Sequence, residues 1–213
     1  MSNFLKQKKI VFISLFSLAA FLLVAFLVKY GVFFPSVDQQ TYKFFISGVG
    51  MFVPFFSNLN AILDPLAVFA ITLTASVFLL VNKYKAGAFT LLLSVSISTI
   101  SALVAKSTFL ITRPVGFVTE TGWSFPSIHA TVAAAFIFVT VFYFKHKISD
   151  HFLEDFFKTV VIIFLLLIIF SRLFLGVHWL SDVVAGIFLG TFLSSVVFYT
   201  VRLWGLRDYG NNS

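Results

Sequence analysis

The sequence predicts an all-α integral membrane protein with six transmembrane helices and a short interfacial segment after the first. The first reason is composition, because 60% of the 213 residues are hydrophobic and only 11% are charged. A soluble protein of this length cannot bury so much apolar surface. The second reason is that the apolar residues form long continuous runs separated by short polar breaks. Membrane β-strands would alternate polar and apolar residues instead. We therefore expect one membrane-embedded domain over residues 1–213.

The predicted spans follow the apolar runs in chain order. The first run comes after Lys6, Lys8 and Lys9, and no small-x-small cleavage site follows it. We interpret it as a retained helix and not as a secretory signal peptide. Residues 32–60 contain prolines, glycines, paired phenylalanines and one polar stretch, Asp38–Lys43, which predicts an interfacial segment that acts as a plain connector. The predicted spans are 10–28, 62–81, 86–105, 128–144, 159–175 and 179–201.

The distribution of positive charge predicts the orientation in the membrane. With the N-terminus inside and six spans, ten of the 15 basic residues fall on the inner side, as the positive-inside rule requires. We therefore expect a multi-pass protein of the plasma membrane with both termini in the cytoplasm, and we attribute the net charge of +7 to topology and not to nucleic-acid binding. The chain has no cysteine, which excludes disulfides and thiolate chemistry. Five basic residues remain on the outer side: Lys29, Lys43, Lys106, Arg113 and Arg172.

The stretch from Ser171 to Asp182 places an arginine, a histidine and an aspartate between two apolar runs. If His178 begins a helix, Asp182 lies on the same helical face four residues later. The carboxylate can then accept a hydrogen bond from one imidazole nitrogen and leave the other as a nucleophile or base. Arg172 offers a fork of donors suited to phosphate. The alternative is a helix-end arginine, an aspartate N-cap and an isolated histidine.

Two further stretches carry candidate site residues. Lys106 lies seven residues before Arg113-Pro114, so two cations fall near the outer end of the third span, which we expect to end just before Arg113. Snorkelling side chains at a helix end are the alternative for this pair. Ser127 is a candidate N-cap of the fourth span, and His129 lies in its first turn, where free N–H groups favour an anion. A lone interfacial histidine is the alternative there.

Together these residues suit phosphoryl transfer at the outer face. Cations and backbone amides would hold the phosphoryl oxygens, and His178 would attack phosphorus while Asp182 stabilises its imidazolium. His129 would protonate the leaving oxygen and then activate water. A two-metal site would need clustered carboxylates, and a mononuclear zinc site would be opposed by three nearby cations. We therefore expect neither a metal nor another cofactor.

The spacing Lys106-x6-Arg113-Pro114, Pro126-Ser127-x-His129 and Ser171-Arg172-x5-His178-x3-Asp182 resembles the three-part signature of the type 2 phosphatidic acid phosphatase superfamily. The resemblance implies a six-helix membrane core with the active site at its extracytoplasmic face. It implies His178 as nucleophile, His129 as general acid and base and Asp182 as the residue that orients His178. It also implies no metal requirement, and it implies the phosphate ligands Lys106, Arg113 and Arg172, assisted by Ser127.

One position departs from the family pattern, because Ile128 stands where the family usually has glycine. Glycine allows close backbone approach and positive φ, whereas a β-branched residue at positive φ is strained. The departure leaves open a catalytically weakened membrane partner with the same fold. A transporter or flippase that binds lipid phosphate without chemistry is a second alternative, and transfer of the phosphoryl group to an acceptor other than water is a third.

The location of the site predicts an amphiphilic substrate. A site at a membrane surface favours a lipid phosphate or diphosphate, and the family implies undecaprenyl diphosphate, phosphatidylglycerol phosphate or phosphatidic acid. The expected partners are thus the lipid substrate and the bilayer, with no nucleic acid. The sequence does not predict an oligomeric state.

Overall fold

The computed structural model describes residues 2–32, 34–47, 50–62, 65–144 and 151–204. These residues are mainly α-helical and form no β-strand. A 3₁₀ turn, Gly50–Phe52, precedes the third helix, and a π-helical turn, Thr140–Phe144, extends the sixth. The α-helices are α1 (Ser2–Lys29), α2 (Phe34–Ser47), α3 (Val53–Ile62), α4 (Pro65–Val81), α5 (Lys85–Phe109), α6 (Ile128–Val139), α7 (His151–Phe174) and α8 (Leu180–Leu203).

Helix α8 is the central element of the bundle, since it packs against α1, α5 and α6. Two glycines allow α6 and α8 to touch backbone to backbone. A Cβ atom at Gly190 would lie 2.1 Å from the carbonyl oxygen of Thr131, and one at Gly186 would lie 2.7 Å from that of Ser127. Small residues commonly permit such close helix pairs in membranes. This contact fixes the first turn of α6 against the first turns of α8.

The helices have the length and surface of a membrane bundle. The segments Lys8–Lys29, Lys85–Phe109, Phe152–Phe174 and Leu180–Leu203 are long and apolar enough to cross a bilayer, and Leu66–Val81 and Ile128–Tyr143 are shorter apolar helices. Many large apolar side chains point outward, among them Phe12, Phe16, Phe78 and Ile100. Hydrocarbon is the solvent that such a surface requires. The chain is an all-α, multi-pass membrane protein.

Several helix boundaries differ from the predictions. Helix α7 begins at His151, well before the predicted 159, but ends at Phe174, within one residue of the predicted 175. Helix α5 ends at Phe109 and not just before Arg113, because Leu110 adopts a left-handed conformation with φ of 54°. Residues 63 and 64, near the start of the second predicted span, lie outside the described residues.

The segment after α1 is not the plain connector that we expected. It forms α2 and α3, and these helices pack against the parts of α7 and α8 that carry the candidate site. Phe45 of α2 joins a core cluster with Leu173 and Val183, and Phe56 of α3 stacks on Phe174 with ring centroids 4.4 Å apart. The apolar faces of both short helices therefore support the α7–α8 junction.

Candidate active site

The three stretches with candidate site residues meet at one end of the bundle. The loop from 110 to 127 joins α5 to α6 and lies against the turn between α7 and α8, where Phe117 N donates to Leu175 O at 2.9 Å. Ser127 N donates to Asp182 O at 3.0 Å, which joins the start of α6 to the start of α8. The end of α5, the start of α6 and the α7–α8 turn thus form one continuous site.

His178 and Asp182 form the buried centre of this site. His178 Nδ1 lies 3.1 Å from Asp182 Oδ2, and the two residues are 3% and 0% exposed. The condition that His178 begins a helix is not met, since α8 begins at Leu180, one residue after the predicted start of the span at 179. The pair meets because Asp182 lies in the first turn of α8 and accepts a hydrogen bond from Trp179 N at 2.9 Å. This cap turns the carboxylate back toward the residues that precede the helix.

The contacts of the His178 ring define its protonation state. Nδ1 faces the Asp182 carboxylate, which accepts, while Nε2 lies 3.1 Å from the Arg113 guanidinium, which can only donate. The tautomer that fits both contacts is neutral, with its proton on Nδ1 and a lone pair on Nε2. Burial, and then the positive charges of Arg172 and Lys106, hold the pKa of His178 well below its usual value near 6.5. The imidazole is therefore neutral at pH 7, with Nε2 available to act as a nucleophile.

Glu120 links the two arginines of the site. Its Oε2 lies 2.9 Å from Arg113 Nη1, and its Oε1 accepts a hydrogen bond from Arg172 Nη2. Arg172 is fully buried and also donates to Asn60 Oδ1 of α3. Arg113 donates to Gly122 O at 3.1 Å through Nε. Arg113 is thus fixed against His178, and the Glu120 carboxylate links Arg172 to Arg113.

Lys106 holds the loop between α5 and α6 through hydrogen bonds to its backbone. Its ammonium group donates to Trp123 O at 2.5 Å and to Ser124 O at 2.8 Å, and the residue is 9% exposed. The Ser124 hydroxyl in turn lies 3.3 Å from Asp182 Oδ1. Lys106 is connected through Ser124 to the buried carboxylate that contacts His178.

Ser127 and His129 occupy the start of α6. Ser127 is the N-cap, as expected, and its buried hydroxyl accepts from Ala130 N at 3.4 Å. His129 Nε2 is buried and has no hydrogen-bond partner among the described residues. The same residue lines an apolar cavity of about 90 Å³ between α4, α6 and α7. His129 thus lines this cavity and also lies within electrostatic range of Arg172, Arg113 and Lys106.

Several residues that contact the site were not singled out from the sequence. Apart from Trp179, which contacts Asp182 three residues later, their partners lie far away along the chain, so spacing gave no signal. Asp38 of α2 accepts hydrogen bonds from Ser181 N at 2.9 Å and Ser181 Oγ at 2.7 Å. The residues in question are Asp38, Asn60, Glu120, Ser124 and Trp179.

No group of three or more metal-ligating side chains occurs within residues 2–32, 34–47, 50–62, 65–144 and 151–204. Asp182 lies between His178 and Ser124, and Glu120 lies between two arginines. Both carboxylates with a position in the site are thus engaged by protein donors.

Comparison with known proteins gives one family and two similar structures. The transmembrane PAP2 type phosphatidylglycerolphosphate phosphatase from Bacillus subtilis superposes with a TM-score of 0.72 at 22% identity, covering 90% of this chain and 95% of that one. Aquifex aeolicus LpxE superposes with a TM-score of 0.59 at 18% identity, covering 77% of this chain and 95% of that one. No functionally curated protein matches the sequence.

The family match extends over almost the whole chain. Residues 11–205 match the PAP2 superfamily, a range that includes α2 to α8 and most of α1. This match supports the assignment of the chain as a membrane phosphatase. Since the matched range far exceeds half of the sequence, the chain belongs to the PAP2 superfamily.

Proposed function

We propose that this protein is a metal-independent lipid phosphatase that works through a phosphohistidine intermediate. The observation that carries the proposal is a buried, neutral His178 with Asp182 on Nδ1 and an arginine on Nε2. A carboxylate on one nitrogen and a phosphate-binding cation beside the other are what nucleophilic attack on a phosphoryl group requires. The catalytic residues are His178, His129 and Asp182, and the phosphate ligands are Lys106, Arg113, Ser127 and Arg172.

The first half of the reaction forms a bond between His178 and phosphorus. Nε2 attacks phosphorus in line, and the bond from phosphorus to the lipid oxygen breaks. His129 enters this step as an imidazolium, with the bound phosphoryl group beside it, and gives one ring proton to that oxygen. The lipid therefore leaves as an alcohol, or as a monophosphate when the substrate is a diphosphate. Asp182 stabilises the positive ring through Nδ1–H.

The second half restores the enzyme. Neutral His129 takes a proton from water, whose oxygen attacks phosphorus and breaks the bond to Nε2. Inorganic phosphate leaves, and His178 is again neutral. Arg113 and Arg172 carry the phosphoryl charge in both steps, because guanidinium groups bind phosphate oxygens in pairs. Lys106 acts mainly through the loop that it holds, and Ser127 acts through the N-terminus of α6.

A single six-span domain supports this activity. We count six spans by adding the shorter apolar helices α4 and α6 to the four long ones. Sixteen to 17 residues of helix extend about 25 Å, close to the hydrocarbon thickness of a bilayer. We place both termini in the cytoplasm and the site at the extracytoplasmic face of the cell membrane, in accord with the inner excess of lysine and arginine.

The substrate class follows from the position of the site at the end of an apolar bundle. A phosphate at headgroup depth is reached by a lipid whose chains stay among the helices. Undecaprenyl diphosphate, phosphatidylglycerol phosphate and phosphatidic acid all satisfy this requirement. The similarity to a phosphatidylglycerolphosphate phosphatase supports testing phosphatidylglycerol phosphate first.

Phosphate release by the purified protein in detergent and EDTA tests the proposal. The three lipids are compared for the native chain, for His178→Ala and for His151→Ala, a matched control at the other end of α7 from Arg172. We expect release by the native chain and the control, and none by His178→Ala. Trapping of acid-labile phosphate on the native chain would identify the phosphohistidine.

Four outcomes would contradict the proposal. Release that requires added metal would refute the metal-independent mechanism. Saturable lipid binding without release, unchanged in His178→Ala, would indicate a transporter. If the folded protein neither binds the lipids nor releases phosphate, it is a non-catalytic partner. Loss of lipid phosphate without free phosphate would indicate transfer to another acceptor.

A further inference from the structure

We propose that the Glu120 carboxylate is an internal ligand of the phosphate site, which binds Arg113 and Arg172 in the empty enzyme and leaves them when a phosphoryl group enters. This proposal rests on the proposed function, because it takes the two arginines as phosphate ligands. It assigns a role in phosphate release to Glu120, a residue that lies outside the three sequence stretches with candidate site residues.

The contacts of Glu120 are those that a phosphoryl group would make. One carboxylate oxygen lies 2.9 Å from Arg113 Nη1, and the other accepts from Arg172 Nη2. His178 Nε2 lies 3.1 Å from the same Arg113 Nη1, so the carboxylate lies beside the nitrogen that would attack phosphorus. A carboxylate and a phosphate offer guanidinium groups the same kind of paired oxygen acceptors. Both cannot bind the same donors at once.

Arg113 Nη1 has more acceptors than hydrogens. It forms hydrogen bonds with Val177 O at 2.8 Å and with His178 Nε2 at 3.1 Å, which use both of its N–H groups. Glu120 Oε2 lies 2.9 Å away as an ion-pair contact. The Glu120 contact is therefore held by charge attraction alone. The carbonyl and the imidazole belong to the backbone and ring of the α7–α8 turn, whereas Glu120 lies on the loop. Glu120 is the acceptor that can leave without moving the turn.

Exposure gives the carboxylate a route out of the site. The Glu120 side chain is 22% exposed, whereas those of Arg113 and Arg172 are 13% and 0% exposed. The carboxylate thus covers the buried cations from the solvent side. A short rotation of its side chain would place it in water and uncover both guanidinium groups.

Charge balance also favours departure of Glu120. Arg113 and Arg172 both contact the Glu120 carboxylate. A phosphomonoester dianion added beside this carboxylate would bring three negative charges against the two guanidinium charges. With Glu120 in water, two negative charges face two positive ones. Like charges in a partly buried site oppose each other strongly, so the balanced arrangement is preferred.

The expected consequence is weak binding of inorganic phosphate by the native enzyme. When the product forms, the Glu120 carboxylate competes for the same two arginines and helps to expel it. If Glu120 instead ordered the two arginines, its loss would weaken phosphate binding, which is the opposite change in affinity. The direction of the change in phosphate affinity separates the two roles.

Binding of inorganic phosphate to the purified protein tests the proposal without turnover. Glu120→Gln removes the charge and keeps the size, and Glu154→Gln is the matched control, since Glu154 pairs with Lys158 at the other end of α7. Charge-assisted bonds contribute about 1.5–3 kcal/mol, which corresponds to about tenfold or more in affinity. We expect Glu120→Gln to lower the Kd for phosphate by about tenfold, measured from the rise in Tm with phosphate. The Ki for competitive inhibition by phosphate should fall by the same factor. The Glu154→Gln control should match the native chain.

The possible outcomes separate this proposal from the proposed function. Native-like or weaker phosphate binding by Glu120→Gln, with normal lipid turnover by the native chain, would overturn the role of Glu120 alone. Absence of phosphate binding by both proteins, with no lipid turnover, would overturn the phosphate site itself. If Glu120→Gln does not fold, Glu120→Asp serves in its place, because the shorter side chain cannot reach both arginines. The Glu120→Asp protein should then also bind phosphate more tightly than the native chain.

Discussion

Replacing Asp38 with alanine should loosen the start of α8 and slow turnover without weakening substrate binding. Asp38 lies on α2, is 8% exposed, and accepts hydrogen bonds from the backbone and side chain of Ser181 at 2.9 and 2.7 Å. Ser181 immediately precedes Asp182, the residue that contacts His178. The carboxylate also lies at the positive end of α8, where it interacts favourably with the helix dipole. Asp38 is thus a positioning residue for the proposed catalytic pair.

The size of the effect follows from the two lost bonds. Alanine leaves the Ser181 N–H and hydroxyl without this acceptor, at about 1–3 kcal/mol for each unsatisfied buried group. Burial raises the pKa of Asp38, which means that its charge is itself unfavourable there and that removing it offsets part of the loss. We expect a net loss of about 2–3 kcal/mol, or about 5–10 °C in Tm for a protein of this size. A shift of about 1 Å in a catalytic group lowers rates by about 100-fold, so kcat should fall by ten- to a hundredfold.

Thermal unfolding and lipid phosphatase kinetics in the same detergent check this prediction. Asp38→Asn should retain most activity, because its carbonyl accepts from Ser181 N and its amide can donate to the hydroxyl. Asp155→Ala is the control, since that carboxylate is 78% exposed and pairs with Lys158 near the start of α7. A native kcat together with a lowered Tm would show that α2 supports the fold and not the catalytic geometry, which would refute the positioning role.

Four further substitutions or conditions give independent tests. Gly190→Ala places a Cβ 2.1 Å from Thr131 O, so overpacking should lower stability by about 1–3 kcal/mol, measured as Tm. The pKa of His178 is lowered by burial, so the fall of kcat/KM on acidification should begin only well below pH 6.5, as a pH–rate profile would show. Arg172→Lys keeps the charge but loses the fork that reaches two partners, and should raise KM for the lipid about tenfold or more. Ile128→Gly should lower Tm by removing core packing, without raising kcat.

The membrane fold was predictable because a bilayer imposes a length and polarity on each span. Four of the predicted spans correspond to helices long and apolar enough to cross a membrane. Helix ends were less predictable, since a helix can continue into water beyond its apolar part. Helix α7 does so at its start, where Lys158 pairs with Glu154 at 2.8 Å one turn away. Such an ion pair stabilises exposed helical turns that an apolar-run criterion does not detect.

The candidate site was predictable only where its residues are close in sequence. The pairing of His178 with Asp182 follows from a separation of four residues, although the actual geometry depends on a helix cap and not on a shared helical face. Asp38 and Ser181 are 143 residues apart, and Asn60 and Arg172 are 112 apart. Contacts of that range are fixed by packing of α2 and α3 on α7 and α8, for which the sequence offers no periodic signal. The supporting residues were therefore the part that required a structure.

Ile128 shows how packing resolves a doubt that the sequence raised. The expected strain does not arise, since Ile128 is the first residue of α6 and is not among the described residues with positive φ. Its side chain packs against the core cluster formed by residues of α4, α5 and α6, such as Leu91 and Val132. With isoleucine at this position, the backbone cannot approach a phosphate as closely as it could with glycine. If the proposed function is right, side-chain cations bind more of the phosphoryl charge. We then expect the competition between Glu120 and phosphate for Arg113 and Arg172 to set the affinity of the site.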